Sequence, residues 1–241
     1  MSVSLPKVYG FNPNSEAGED CTAASIFMYG CNMRCPFCMN YRLVLGGLKK
    51  PKVVSLDKVK KHVFENDTPM VIISGGEPCL LKDLAELVEE IRSWPCEVGI
   101  CTNGTCFTTL SEVLPMINFV AVDVKASTEE EYAEIDKVHE KWGFVLLKES
   151  LTDIRAAAKK RDNFTYELRT TMYRPFINPD NVSQFASVVR REDRWVLQHF
   201  RNNIPLLEKD AYKVEPLSEE EVAMVVQSAH NFCSNVGERY V

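Results

Sequence analysis

Two short runs in this chain are apolar at almost every position: MVIIS at Met70–Ser74 and FVAVDV at Phe119–Val124. A strand with one face in water alternates apolar and polar residues. Runs without that alternation belong to strands covered on both faces, which is the habit of parallel sheets. Ala24–Tyr29, Glu97–Cys101, Thr165–Met172 and Arg194–Phe200 share the β-branched or apolar character. Amphipathic segments lie between these strands. The clearest carries Leu81, Leu84, Leu87, Val88, Ile91 and Trp94 at the spacing of one buried helix face. Thr109 with Glu112, Ser127 with Glu130 and Ser218 with Glu221 each fit a capping box at a helix start. Strand followed by helix along most of the chain predicts an α/β fold of parallel strands joined by right-handed crossovers.

Such a fold carries its chemistry on the loops at the C-terminal ends of its strands. A group of cysteines, Gly75-Gly76-Glu77, Thr102-Asn103-Gly104 and Asp123–Lys125 all fall at or just past a strand's end. One domain over 1–241 is expected, with its core at about 22–200 and a C-terminal extension at about 201–241 that holds a last helix and a strand at Gly237–Val241. The weakest boundary is Arg201–Pro216. A net charge of −6 argues against a nucleic-acid binder, which needs a basic face. No stretch reaches the roughly 18 apolar residues of a membrane span. The first residues, MSVSLPKVYGFNPNSEAGED, lack a signal-peptide core, so a cytoplasmic location is expected.

Nine cysteines in such a chain are either buried small hydrophobes or ligands for a soft metal. Cys31, Cys35 and Cys38 stand as C-x3-C-x2-C in the loop after the first strand. Three thiolates can bind three irons of a 4Fe–4S cluster and leave the fourth iron open, as a catalytic centre needs. Structural zinc is the alternative, but it prefers four ligands, and the sequence has no second C-x2-C pair.

This motif, with aromatic Phe37 before the third cysteine, resembles the signature of the radical S-adenosylmethionine (SAM) superfamily. Gly75-Gly76-Glu77-Pro78 resembles the second motif of that family, where backbone and acid receive the methionine amino group of SAM. The likeness is strongest to glycyl-radical-enzyme activating proteins, above all the activators of anaerobic ribonucleoside-triphosphate reductase. CTNG (Cys101–Gly104), DVKA (Asp123–Ala126), RTT (Arg169–Thr171) and LQHF (Leu197–Phe200) match motifs of their third to sixth strands. The resemblance implies a partial (β/α)6 TIM-like barrel. It also implies SAM contacts from Thr102 and Asn103, with Asp123, Lys125 and Arg169 near the SAM methionine and the target peptide, and Gln198 reaching ribose or carboxylate. Two positions depart from the family. Cys101 stands where it has an acid that helps hold a monovalent cation, and Met39 stands where it has His before Asn40.

The resemblance implies that the open iron chelates SAM through its amino nitrogen and carboxylate. A reduced cluster then passes one electron to the sulfonium, giving methionine and a 5′-deoxyadenosyl radical that removes the α-hydrogen of a glycine on a partner. The implied partners are a glycyl radical enzyme and a one-electron donor such as flavodoxin or ferredoxin. One alternative is a small-molecule radical SAM enzyme like 7-carboxy-7-deazaguanine synthase, and another is a non-catalytic metal-binding protein. Arg-Thr-Thr and Leu-Gln-x-Phe favour the activating reading.

The remaining candidates have plainer readings. Cys96, Cys101 and Cys106 recur every five residues, and positions five apart on a strand face opposite ways, so a second cluster is not expected. Cys21, Cys79 and Cys233 read as packing residues, with Cys79 close enough to the site to react. His62, His139 and His230 are expected to face solvent, whereas His199 adjoins the last motif and is a functional candidate. Trp94, Trp142 and Trp195 are expected in the core. TEEEYAEIDKVHEKW reads as a solvated helix face, and Lys159-Lys160-Arg161 is too short for a nucleic-acid patch. Alanine at any one of Cys31, Cys35 or Cys38 is expected to abolish activity with little change in circular dichroism or Tm. Full activity in any of the three would contradict the cluster assignment.

Overall fold

The computed structural model describes residues 5–18, 21–44, 52–136 and 142–240. Among the described residues eight strands form one sheet in chain order: β1 (Gly10–Ala17), β2 (Cys21–Met28), β3 (Met70–Gly75), β4 (Glu97–Thr102), β5 (Phe119–Asp123), β6 (Thr165–Thr171), β7 (Arg194–Gln198) and β8 (Asn235–Arg239). β1 is antiparallel to β2, and every later neighbouring pair is parallel. The expected strands are β2 to β7. The sheet also has two edge strands, of which the sequence reading anticipated β8 but set it at Gly237–Val241. It lies at Asn235–Arg239, and Val241 is outside the described residues.

β1 was not anticipated, because GFNPNSEA has neither apolar alternation nor β-branched residues. Pro13 cannot donate to a ladder, so this segment can only be an edge strand, and its register shifts between Asn12 and Ser15. The two edges meet where Nη2 of Arg239 donates to the carbonyl of Gly18 at 2.9 Å, and the sheet curls into an open barrel.

Period-two alternation decides what each face does. On β3 and β5, Val71, Ile73, Val120 and Val122 belong to the large core under the helices. Met70, Ile72, Phe119 and Ala121 belong to a small second core inside the barrel. After α1 (Tyr41–Val44) and α2 (Leu56–Glu65), which follow β2, the outer core is covered by α3 (Leu84–Arg92) through Leu84, Leu87, Val88 and Ile91, and by α6 (Gly143–Lys160) through Leu147, Leu151 and Ile154. Above the inner core the barrel turns polar, and that polar upper half carries the site.

Some local expectations shift. The Ser218–Glu221 capping box opens α7 (Glu219–Ala229) as expected. The box at α5 (Glu129–Ile135) is Thr128 with Glu131, one residue later than expected, and Ser127 also donates to Glu131. Thr109 lies inside α4 (Phe107–Val113), behind Cys106 at the N-cap, so no box forms there. Trp94 and Trp195 are buried, but Trp142 is 61% exposed, because it precedes α6 and lies off the Phe144–Leu147–Leu151 stripe.

Between β6 and β7 the connection carries a 3-10 turn (Val182–Ser187). The buried ion pair of Arg155 with Asp193 anchors α6 there, and Asp193 also accepts from Tyr166. Arg155→Met leaves Asp193 buried without its cation and should lower the unfolding free energy by about 3–5 kcal/mol in urea denaturation. An unchanged midpoint would contradict this role.

Candidate active site

The glycine pair at the end of β3, Gly75 and Gly76, brings two strand ends into contact. Gly75 has φ +117°, and a Cβ there would collide with the backbone of Met28; a Cβ on Gly76 would collide with the carbonyl of Gly30. Without side chains, Gly76 N–H donates to the Met28 carbonyl at 3.0 Å and Glu77 N–H to the Gly30 carbonyl at 2.7 Å. The loop that starts at Gly30 is therefore pinned to the end of β3. Asn40 adds a bond from Nδ2 to the Gly75 carbonyl at 3.2 Å.

That loop carries Cys31, Cys35 and Cys38. Phe37 packs on Tyr173 and Phe176, with ring centroids 5.0 and 6.2 Å away. Glu208 N–H donates to the Pro36 carbonyl, so the expected weak boundary at Arg201–Pro216 is laid against the cysteine loop. On the other side Asn32 donates from Nδ2 to Thr105 Oγ1 at 2.7 Å and to Asp136 Oδ1 at 3.4 Å, and accepts from Asn103 Nδ2 at 2.8 Å. Asp136, expected on a solvated face, is fully buried. His139 and the rest of 137–141 lie outside the described residues.

The three thiols line one cavity of about 260 Å³ at the barrel mouth. Burial raises the pKa of each, taking Cys35 up to about 12 although Lys125 pulls it down. Burial also opposes the Lys125 ammonium, but Asp123 and the thiols of Cys35 and Cys38 outweigh it and hold its pKa up. Lys125 Nζ donates to Asp123 Oδ2 at 2.6 Å. A fixed cation therefore faces two thiols, which favours their ionised forms.

Phe37, Gly75, Gly76, Thr102, Asn103, Asp123, Lys125, Arg169 and Gln198 also line this cavity, so most of the sequence-predicted set meets there. Glu77 and Pro78 do not. Glu77 is 1% exposed and turned into the protein, accepting from Cys79 N–H at 3.0 Å, Thr102 Oγ1 at 2.7 Å and Asn103 N–H at 2.7 Å. It fastens the β3 loop to the β4 loop. Lining residues absent from the predicted set include Ser74 and Thr171, which share the inward parity of Ile72 and Arg169, a signal the sequence already held.

His199 stacks on Tyr240 at 3.8 Å and pairs with Glu238, outside the cavity lining. His62 packs edge-on against Phe11, and His230 is exposed. Cys101 faces the barrel interior, whereas Cys96 and Cys106 pack against the outer core, so the three diverge as expected. Cys79 is buried and its pKa is held well above the usual thiol range by burial, so the reactivity considered for it is suppressed.

The radical SAM superfamily model matches residues 25–182, and the chain belongs to that superfamily, whose enzymes use a 4Fe–4S cluster and SAM. Within it, the chain is similar to a Methanocaldococcus jannaschii protein provisionally named a glycyl-radical enzyme activating enzyme, at 30% identity over 80% of this chain and 76% of the relative. It is also similar to the 7-carboxy-7-deazaguanine synthase of Aquifex aeolicus, at 36% identity over 33% of this chain and 35% of that one. Streptococcus suis SuiB, solved with a precursor peptide, shares the fold at TM-score 0.58 and 14% identity, over 88% of this chain and 47% of SuiB. No helix among the described residues is long and apolar enough to cross a membrane.

Glu77→Gln keeps one acceptor oxygen but sets an amide N–H against the N–H of Asn103. It should lower stability by about 1–3 kcal/mol in thermal or urea unfolding. Wild-type stability would show that the carboxylate does not fasten the two loops.

Proposed function

We propose that this chain is an activating enzyme that installs a glycyl radical on a partner enzyme, and that the partner is an anaerobic ribonucleoside-triphosphate reductase. In this reading Cys31, Cys35 and Cys38 each bind one iron of a 4Fe–4S cluster. The donor set suits such a group: three thiols surround one cavity, while among the described residues no three His, Cys, Asp or Glu side chains converge closely enough to share a single metal ion. When bound, the cluster and SAM supply a one-electron reduction that produces a hydrogen-abstracting radical.

The chain's own residues bind and orient. Gly75 and Gly76 offer backbone to the methionine end of SAM, with Thr102, Asn103, Asp123, Lys125, Arg169 and Gln198 around it, and Phe37 closes the apolar side. Glu77 and Pro78 act from behind, by holding the loops in register. The observation that carries the reading is that the cavity adjoins a second, outer pocket through shared lining residues. Met39 and Asn40 line both the cavity and an outer groove that runs past Tyr41, Leu43, Ile204 and Pro205. An extended segment bearing a glycine can enter by that groove while SAM lies beneath it. Similarity over four-fifths of the chain to a relative named for this activity supports the same reading.

The local likeness to 7-carboxy-7-deazaguanine synthase supports a second reading, a small-molecule substrate. Affinity purification from anaerobically grown cells should co-purify a large glycyl radical enzyme. Mixing the two with SAM and a flavodoxin- or ferredoxin-type donor should give the doublet paramagnetic signal of a glycyl radical. No co-purifying enzyme, together with SAM cleavage coupled to a small nucleobase precursor, would contradict activation.

A further inference from the structure

Among the described residues that line the outer groove, Arg42 is the sole charged one; the others present apolar side chains, a phenol and an amide. Arg42 is exposed but held at one end. Nε donates to the Tyr41 hydroxyl at 3.1 Å, and Cζ lies 5.7 Å from the centre of the Tyr41 ring. Nη1 and Nη2 bond to no acceptor among the described residues. Holding Nε therefore leaves the end of the fork, with its two parallel N–H bonds, accessible in the groove.

The backbone beneath Arg42 is tied to the strand ends that also frame the cavity. Gly30 N–H donates to the Leu43 carbonyl and Leu43 N–H to the Asn40 carbonyl, both at 2.8 Å, while Asn40 Nδ2 reaches the Gly75 carbonyl. The offset between Arg42 and the cavity is thus set by the sheet.

We infer that Arg42 is a specificity-determining residue, binding an aspartate or glutamate side chain a few residues from the glycine on the segment that enters the groove. The inference rests on the proposed entry of such a segment and adds which segments are accepted. The chain carries a net charge of −6, so an acidic segment is repelled in general and is admitted where its carboxylate meets this cation. The end of a guanidinium fork holds a carboxylate by two charge-assisted hydrogen bonds, which fix direction as well as affinity. Met39, 46% exposed, is apolar and flexible, and accommodates neighbouring side chains without choosing among them. Selection then falls to the charge, and the fixed offset makes the acid count at one position relative to the glycine.

Labelled nonapeptides with a central glycine and capped ends, carrying glutamate, glutamine or lysine at each other position in turn, are bound to the full-length reconstituted protein with SAM. Binding is followed by fluorescence anisotropy without oxygen. Wild type is compared with Arg42→Gln and Arg42→Glu, whose folding is checked by circular dichroism. At one position glutamate should bind about three- to tenfold tighter than glutamine, and the gain should shrink at high salt. Arg42→Gln should bind those two peptides equally, and Arg42→Glu should prefer lysine there. Peptides that bind wild type with no charge preference at any position overturn the role of Arg42 and leave the groove as the entry path. A preference for glutamate that survives in Arg42→Gln does the same. If no peptide binds, the entry path fails and this inference with it.

Discussion

The backbone of β3 runs so close to the end of β2 that no side chain fits between them, and the rest of the site is arranged around this contact. Gly75 and Gly76 make it possible, and their amide neighbours bond directly to Met28 and Gly30. The cysteine loop begins at that point, so its first residue is fixed by the sheet itself. Glu77 then carries the constraint to β4 through Thr102 and Asn103. The Asn103 side chain returns it to the cysteine loop through Asn32. Strand ends, loop and cavity wall are thus one connected hydrogen-bonded unit. Buried polar networks of this kind hold one geometry only when every member is satisfied.

Electrostatics divide the barrel interior into levels. A small apolar core of Met70, Ile72, Phe119 and Ala121 fills the lower part. Level with Ala121 at the top of this core Glu167 gathers three arginines, and above that Asp123 and Lys125 face the thiols. The apolar layer keeps the charged layers dry from below, which strengthens each interaction in the site. Asp123 pairs with Lys125 at the end of β5, and Glu167 holds Arg169 on its own strand and Arg194 and Arg239 from β7 and β8, so these groups need little reorganisation when a charged ligand arrives.

The parallel strands and the loops at their ends were legible in the sequence because burial on both faces leaves an uninterrupted apolar signature, as in β3 and β5. The cavity was legible for the same reason, since its lining residues sit at the ends of those strands. Other features were hidden for specific physical causes. β1 has a polar sequence with Pro13, and only its edge position makes it a strand. Ser127 and Thr128 each have a glutamate three residues later, so spacing alone could not choose between them. Asp136 lies in a charged run, and it is buried where it accepts from Asn32, far away in sequence. The resemblance of Gly75-Gly76-Glu77-Pro78 points Glu77 at the methionine amino group of SAM, but a side chain just past a strand has no parity that fixes its direction. Three protein donors turn it the other way.

In the proposed function Cys31, Cys35 and Cys38 hold a cluster with one iron open to SAM. Electron paramagnetic resonance of the anaerobically reconstituted, reduced protein, with and without SAM, tests it most directly. A 4Fe–4S signal whose shape and g-values change when SAM is added is expected. A signal indifferent to SAM, or no cluster signal, would contradict it.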